Sequence, residues 1–171
     1  MIKQTIVIYP GRFQPFGKHH YMVYSNIRKK FPSSVVYVAT SDKVMLPDSP
    51  FSFEEKKKII SSYGITNIEK VTNPYISSEI IDKYDKEETA VIFILGAKDK
   101  ERLSGKKLQP DGLPWFLEYK DKVKYPISLH AYVYTAPLEI IRTSFTNELN
   151  ASTLRKELAN KKLSEEEKLI E

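Results

Sequence analysis

The stretch that decides the fold is Thr5-Ile6-Val7-Ile8-Tyr9-Pro10-Gly11-Arg12-Phe13-Gln14-Pro15-Phe16-Gly17-Lys18-His19-His20. It opens as a nearly continuous apolar, β-branched run, the pattern of a strand buried on both faces of a parallel sheet. The run ends on a glycine, and a helical pattern begins at His19. In an open α/β sheet the turn between first strand and first helix lies at the carboxyl edge, where ligands bind. Backbone N–H groups there and at the helix start carry partial positive charge and favour phosphate. Gly11 and Gly17 would let the backbone approach a ligand closely, Pro10 and Pro15 would stiffen the loop, and Arg12, Lys18, His19 and His20 add donors around the same point.

Outward from this loop, apolar runs alternate with helical patterns. Strands are expected at Thr5–Tyr9, Val35–Thr40, Ile68–Thr72, Ala90–Leu95 and Ile127–Tyr134, and helices at His19–Lys30, Phe53–Tyr63, Ser78–Tyr84 and Ser152–Asn160. Ser52-Phe53-Glu54-Glu55 reads as a capping box and Gly64 as a helix stop. That rhythm predicts an α/β fold, a Rossmann-like, open, mostly parallel five-stranded sheet with helices on both faces. The stretch Leu103–Tyr125 departs from it, with two glycines, two prolines and the single tryptophan, and reads as a long loop. The expected organisation is one domain over residues 1–160, followed by a charged helix or linker over 161–171.

The composition narrows the partners. The chain has 171 residues, 41% hydrophobic and 29% charged, as in a soluble globular domain, and no cysteine. Disulfides, thiolate metal sites and a cysteine nucleophile are excluded, no membrane span is expected, and the expected location is cytoplasmic. The net charge of +5 comes from 27 basic and 22 acidic residues of mixed placement. The densest cluster, Lys56-Lys57-Lys58, reads as the solvated side of an amphipathic helix, so nucleic acid is not the expected partner and an anionic small molecule is. No metal-ligating constellation, Walker-type lysine loop or serine nucleophile turn is present.

Several other residues have a bland and a functional reading. His130 in Leu129-His130-Ala131-Tyr132 reads as a buried core or edge histidine before a catalytic one. Trp115 with Phe116 is a candidate to stack on a base or to fill a core gap. Thr40 and Ser41, at the carboxyl end of a strand, are placed to face the site, and Asn73-Pro74-Tyr75 reads equally as an acceptor-pocket wall or a turn.

Gly11-Arg12-Phe13-Gln14-Pro15-Phe16 resembles the start of the first signature of the HIGH-type nucleotidyltransferase superfamily, nearest the nicotinamide-nucleotide adenylyltransferase-like branch, whose loop reads G-R-F-Q-P-x-H-x-G-H. Asn150-Ala151-Ser152-Thr153-Leu154-Arg155 resembles its second signature, S-x-T-x-x-R. Ser49-Pro50-Phe51-Ser52-Phe53-Glu54-Glu55-Lys56 is similar to the N-P-F-x-x-x-E-R segment, and Leu95-Gly96-Ala97-Lys98-Asp99 to the G-x-x-D turn after the fourth strand. The four motifs stand in family order over residues 5–155, and the chain is similar as well to members found in tailed bacteriophages.

The resemblance implies transfer of a nucleoside monophosphate from ATP, or CTP, to a phosphorylated small-molecule acceptor such as nicotinamide mononucleotide, with release of pyrophosphate. Mg²⁺ would arrive with the triphosphate, held mostly by phosphate oxygens and water. His20 matches the second histidine of the signature and would donate to the α-phosphate; His19, Lys18 and Arg155 complete the implied catalytic set. Gly11, Arg12, Phe13, Gln14, Gly17, Gly96, Asp99, Ser152 and Thr153 are the implied nucleotide-binding residues, Ser152 with its helix amides holding the β- and γ-phosphates. One position departs: Gly17 stands where the family has its first histidine, and His19 where it has glycine. A positioned donor of this kind is worth on the order of 3–4 kcal/mol of transition-state stabilisation. His19 or Lys18 would have to replace it, although two residues further along a helix points to a different side. Two readings stay open, a site rebuilt for the same reaction or a module that binds nucleotide without turning it over.

Overall fold

The computed structural model describes residues 1–96 and 108–136. Its elements are β1 (Gln4–Pro10), α1 (Lys18–Lys30), β2 (Val35–Thr40), α2 (Phe53–Ser61), β3 (Ile68–Lys70), α3 (Ser78–Ile81), β4 (Thr89–Leu95), β5 (Phe116–Glu118) and β6 (Ala131–Thr135). They form a six-stranded sheet in the order β3-β2-β1-β4-β6-β5. Every pairing is parallel.

The apolar runs go where their pattern sends them. All seven residues of β4 are buried, as are Ile6 to Pro10 of β1, because these two strands lie at the centre with side chains on both faces. Val7, Tyr9, Ile92 and Ile94 point to one face and meet Ile27 of α1 with Phe53 and Ile60 of α2. Ile6, Ile8, Val91 and Phe93 point to the other and meet Ile80 and Ile81 of α3. Helices therefore cover both faces.

The chain winds outward from β1 through β2 to β3, then crosses back under α3 to β4 on the other side of β1. The winding reverses between β1 and β4, and such a switch point leaves a crevice at the carboxyl ends of the two strands.

Three sequence expectations need correction. The sheet has six strands, not five, since Phe116–Glu118 pairs with β6 inside the stretch read as loop. Three residues on an edge, two half-buried and one exposed, are too few to show an alternation. The last strand starts at Ala131 rather than Ile127, because Leu129 and His130 turn back onto the Pro126 carbonyl. Ile127 is apolar for a different reason: it is 3% exposed in the α3-side core. Third, β3, α2 and α3 are each shorter at their carboxyl ends than the sequence suggests. Gly64 does follow α2, with φ +85, the left-handed region that glycine enters without strain. The expected Ser152–Asn160 helix and the charged end over 161–171 lie outside the described residues.

Candidate nucleotide site

Beyond β1 the chain makes one more sheet bond, from the Gly11 N–H to the Ala39 carbonyl at 3.1 Å, and then turns. Phe13 takes a left-handed conformation, φ 47, which drives its ring back under the loop. There it meets Tyr9 at 5.2 Å, Phe16 at 5.1 Å and His20 at 5.1 Å between ring centroids. A Cβ on Gly11 would lie 2.8 Å from that ring, so the glycine is required by the phenylalanine beneath it. Gln14 is 4% exposed. Its amide is spent on one residue, donating to the Phe51 carbonyl at 3.0 Å and accepting the Phe51 N–H at 2.8 Å. The amides of Gly11 and Gln14, and the buried Phe13 ring, thus shape the loop, where the motif had suggested ligand contact.

The loop delivers the chain to α1, whose N-cap is Gly17. The Gly17 N–H donates to His20 Nδ1 at 2.9 Å, so this glycine amide too is turned inward. With Nδ1 accepting, the neutral ring carries its proton on Nε2. Burial against Phe13 and Phe16, and then the neighbouring His19, hold the His20 pKa well below its usual value, so the ring is neutral at physiological pH. His19 turns onto His20, with ring centroids 3.8 Å apart. The two imidazoles therefore lie against each other at the start of α1.

The electrostatics of α1 and α2 differ at their starts. The first turn of α2 carries Glu54 and Glu55 under a complete Ser52–Glu55 capping box, with Asp42 accepting the Phe53 N–H at 2.7 Å. The first turn of α1 has no acid and carries exposed Lys18. First-turn N–H groups have no acceptor inside a helix, and here no carboxylate in the same turn offsets the dipole. This end of α1 is an electropositive edge at the β1–β4 crevice.

Beneath the loop lies a residue whose side chain the sequence reading sent to solvent. Lys56 is fully buried. Its Nζ donates to the Arg12 carbonyl at 3.2 Å, the Thr40 hydroxyl at 2.8 Å and the Ser41 carbonyl at 2.5 Å. Thr40 in turn donates to the Arg12 carbonyl at 3.2 Å, so Thr40 and Ser41 support the loop from below. The signal was present: Phe53, Lys56 and Ile60 share one helical face, and both flanking residues are core. Burial pulls the Lys56 pKa down to about 8, with Asp42 opposing and Arg12 assisting. Arg12 itself is exposed, its guanidinium bonded to the Ser49 hydroxyl and, at 3.4 Å, to the Asp48 carbonyl.

Gly17, His19 and His20 are thus brought together, with Lys18 exposed beside them in the first turn of α1 and the Arg12 guanidinium held apart on Ser49 and the Asp48 carbonyl. Gly96 is exposed just past β4, on the same edge as Gly11 and one strand away. Asp99, Ser152, Thr153 and Arg155 lie outside the described residues. Trp115 and His130 sit elsewhere. Phe116 is level with Ala131, and through β4 with Ile6, four residues before the end of β1. At about 3.3 Å per residue this is roughly 13 Å from the crevice. Trp115 packs on the α3-side core, and His130 is fully buried with both ring nitrogens bonded, to the Pro114 carbonyl at 2.9 Å and Asp111 at 2.6 Å. Asn73 closes a turn, its carbonyl accepting from Ile76 and Ser77. Among the described residues no group of acids and histidines is arranged to hold a metal, and no helix is long and apolar enough to cross a membrane.

Among solved structures the chain is similar to a bifunctional NMN adenylyltransferase/ADP ribose pyrophosphatase from Francisella tularensis, at 23% identity and a TM-score of 0.43 over 58% of this chain and 33% of that one. It spans about a third of that protein's length. It is also similar to a putative nicotinate-nucleotide adenylyltransferase from Vibrio parahaemolyticus, at 14% identity and a TM-score of 0.46 over 89% of this chain and 98% of that one. None of the curated proteins matches it. The cytidylyltransferase-like family matches residues 8–155, nearly the whole chain and both ends of the motif set, and the chain belongs to that family, of the nucleotidyltransferase type.

Proposed function

We propose that the chain transfers a nucleoside monophosphate, AMP from ATP, to a phosphorylated acceptor such as nicotinamide mononucleotide. An acceptor phosphate oxygen attacks the α-phosphorus, the bond to the α,β-bridging oxygen breaks, and pyrophosphate leaves with that oxygen. No covalent enzyme intermediate is needed, so the protein's work is positioning and charge stabilisation. The observation that carries the reading is the start of α1. It is a helix end with no acid in its first turn, carrying Lys18 and holding a neutral His20 whose Nε2–H is fixed as the donor by the Gly17 amide. Such a donor fits the α-phosphate oxygens, whose charge shifts as the bridging bond breaks. Asp99, Ser152, Thr153 and Arg155 are proposed, from the motif resemblance, to complete the ribose and β,γ-phosphate contacts. Mg²⁺ enters as part of the triphosphate substrate. Incubation of ATP or CTP with a panel of phosphorylated acceptors tests the proposal. Pyrophosphate release with one pair supports it, and a complete lack of release rejects catalysis.

A second reading, binding without turnover, is favoured by Gly17. It stands at the position of the signature's first histidine and supplies there only a backbone N–H, which His20 consumes. Calorimetric binding of ATP with no pyrophosphate from any acceptor would select this reading.

A further inference from the structure

We infer that Lys56 is a positioning residue for the nucleotide site, its buried ammonium holding the Arg12 carbonyl, Thr40 and Ser41 together so that triphosphate binding depends on the protonation of this one amine. The inference rests on the nucleotide-binding part of the reading above and not on turnover.

An ammonium has three N–H donors and no acceptor, and Lys56 meets three oxygens and no donor requirement it cannot fill. Loss of the proton leaves two donors and a lone pair facing three oxygens. One contact is then lost, and the oxygen that made it faces the lone pair. The contacts at stake are specific. The Arg12 carbonyl belongs to the residue next to Gly11, and Thr40 and Ser41 end the strand beside β1. The peptide that Lys56 grips is therefore the one that orients the Arg12 side chain and the run of loop toward Phe13.

The charged groups facing Lys56 are Arg12 from the loop after β1 and Asp42 from the end of β2. Its pKa of about 8 puts the free protein's transition near physiological pH. A triphosphate over Gly11–Arg12 adds negative charge on the open side of the loop, favours the ammonium and raises that value. By linkage, binding then draws in a proton, and affinity falls as pH rises past the free protein's transition. His20 and the terminal phosphate group titrate on the acid side of this window.

The sign of the folding term is opposite. The folded pKa lies below the unfolded value, so between pH 8 and 10.5 the unfolded chain holds more protons and this group's contribution to stability rises with pH. Loss of binding in that interval therefore cannot be loss of the fold through Lys56.

Titration of Mg²⁺–ATP into the full chain by calorimetry, from pH 7 to 9.5 in two buffers of different ionisation enthalpy, tests this. The expected result is uptake of up to one proton near pH 8 to 9, with Kd rising by up to about tenfold per pH unit above 8. Lys56→Arg should still bind and lose the pH dependence, since a guanidinium does not titrate there. Lys56→Met should bind at least tenfold more weakly with no proton uptake, its fold monitored by near-ultraviolet circular dichroism. Unaltered Kd across the range without proton uptake in the wild-type protein overturns the role of Lys56 while leaving the nucleotide reading intact. Failure of the wild-type protein to bind at any pH rejects that reading, and this inference with it.

Discussion

Single residues at this site are tied to one another more than to solvent, and that decides what substitution does. Gln14→Leu removes both partners that the side-chain amide gives to Phe51 inside the protein. The expected loss is about 1–3 kcal/mol of unfolding free energy, read as a lower urea midpoint at unchanged slope. His20→Ala should act differently. It removes one edge of the Phe13–Phe16 cluster, yet its main expected effect is a fall of about 10²–10³ in pyrophosphate release with a smaller change in KM, because a donor to shifting charge is worth most in the transition state. At this scale the sequence was only half legible. The resemblance picked out Gly11, Phe13, Gln14 and His20 together as ligand-facing. Only packing separates the buried Phe13 and Gln14, which build the loop, from His20 and Lys18, which are proposed to meet the phosphates. Lys56 shows the reverse case: its charge pointed to solvent, and its spacing with Phe53 and Ile60 pointed inward.

At the scale of elements, the two long helices make a natural comparison. Helix α2 begins with acids and a capping box, the arrangement that stabilises a helix start, while α1 begins with glycine, lysine and two histidines. Among the described residues, the first turn of α1 lacks the acids and the hydroxyl cap that stabilise the start of α2. Lys18→Glu should raise stability by about 0.3–1 kcal/mol, and should weaken Mg²⁺–ATP binding by roughly tenfold, about 1.4 kcal/mol. Thermal unfolding and calorimetry on the same sample would read the two opposite signs. A drop in both, or no change in binding, would sink the assignment of this helix end to phosphate. The start of α2 was visible in the sequence through Ser52–Glu55, because capping is a local interaction spanning three or four residues, and α1 begins one residue before the His19 that its helical pattern marks. β5 was not visible, since an edge strand of three residues takes its identity from a partner, β6, that lies a dozen residues further on.

Across the whole molecule, the sheet separates two polar constructions by the direction of its strands. Every pairing is parallel, so all carboxyl ends share one edge, where Gly11, Gly96 and the start of α1 meet. The other construction lies at the amino ends of β5 and β6. Fully buried His130 bridges Asp111 at 2.6 Å and the Pro114 carbonyl at 2.9 Å, tying the 109–115 turn to the first residue of β6. The sequence marked His130 as a core histidine for the wrong reason, a strand alternation where the structure has a turn, while the carboxylate that satisfies it is remote in the chain and was not legible. The hydrogen bond to His130 and then the Leu113 N–H hold the Asp111 carboxyl below the usual carboxylate range. A depressed acid contributes stability that is complete above its unfolded pKa of about 4 and is lost as pH falls through the folded value. Asp111→Asn should therefore flatten the acid limb of the stability profile below about pH 4, with little slope change at neutral pH. It should leave the affinity for Mg²⁺–ATP at pH 7 unchanged within about 0.5 kcal/mol, since sites this far apart with no shared partner add independently. Urea unfolding between pH 3 and 7, with one calorimetric titration at neutral pH, separates the two edges. A loss of nucleotide affinity in Asp111→Asn would mean that the sheet couples its amino edge to the phosphate loop, and that the proposed site at the β1–β4 crevice is not independent of the Asp111–His130 pair.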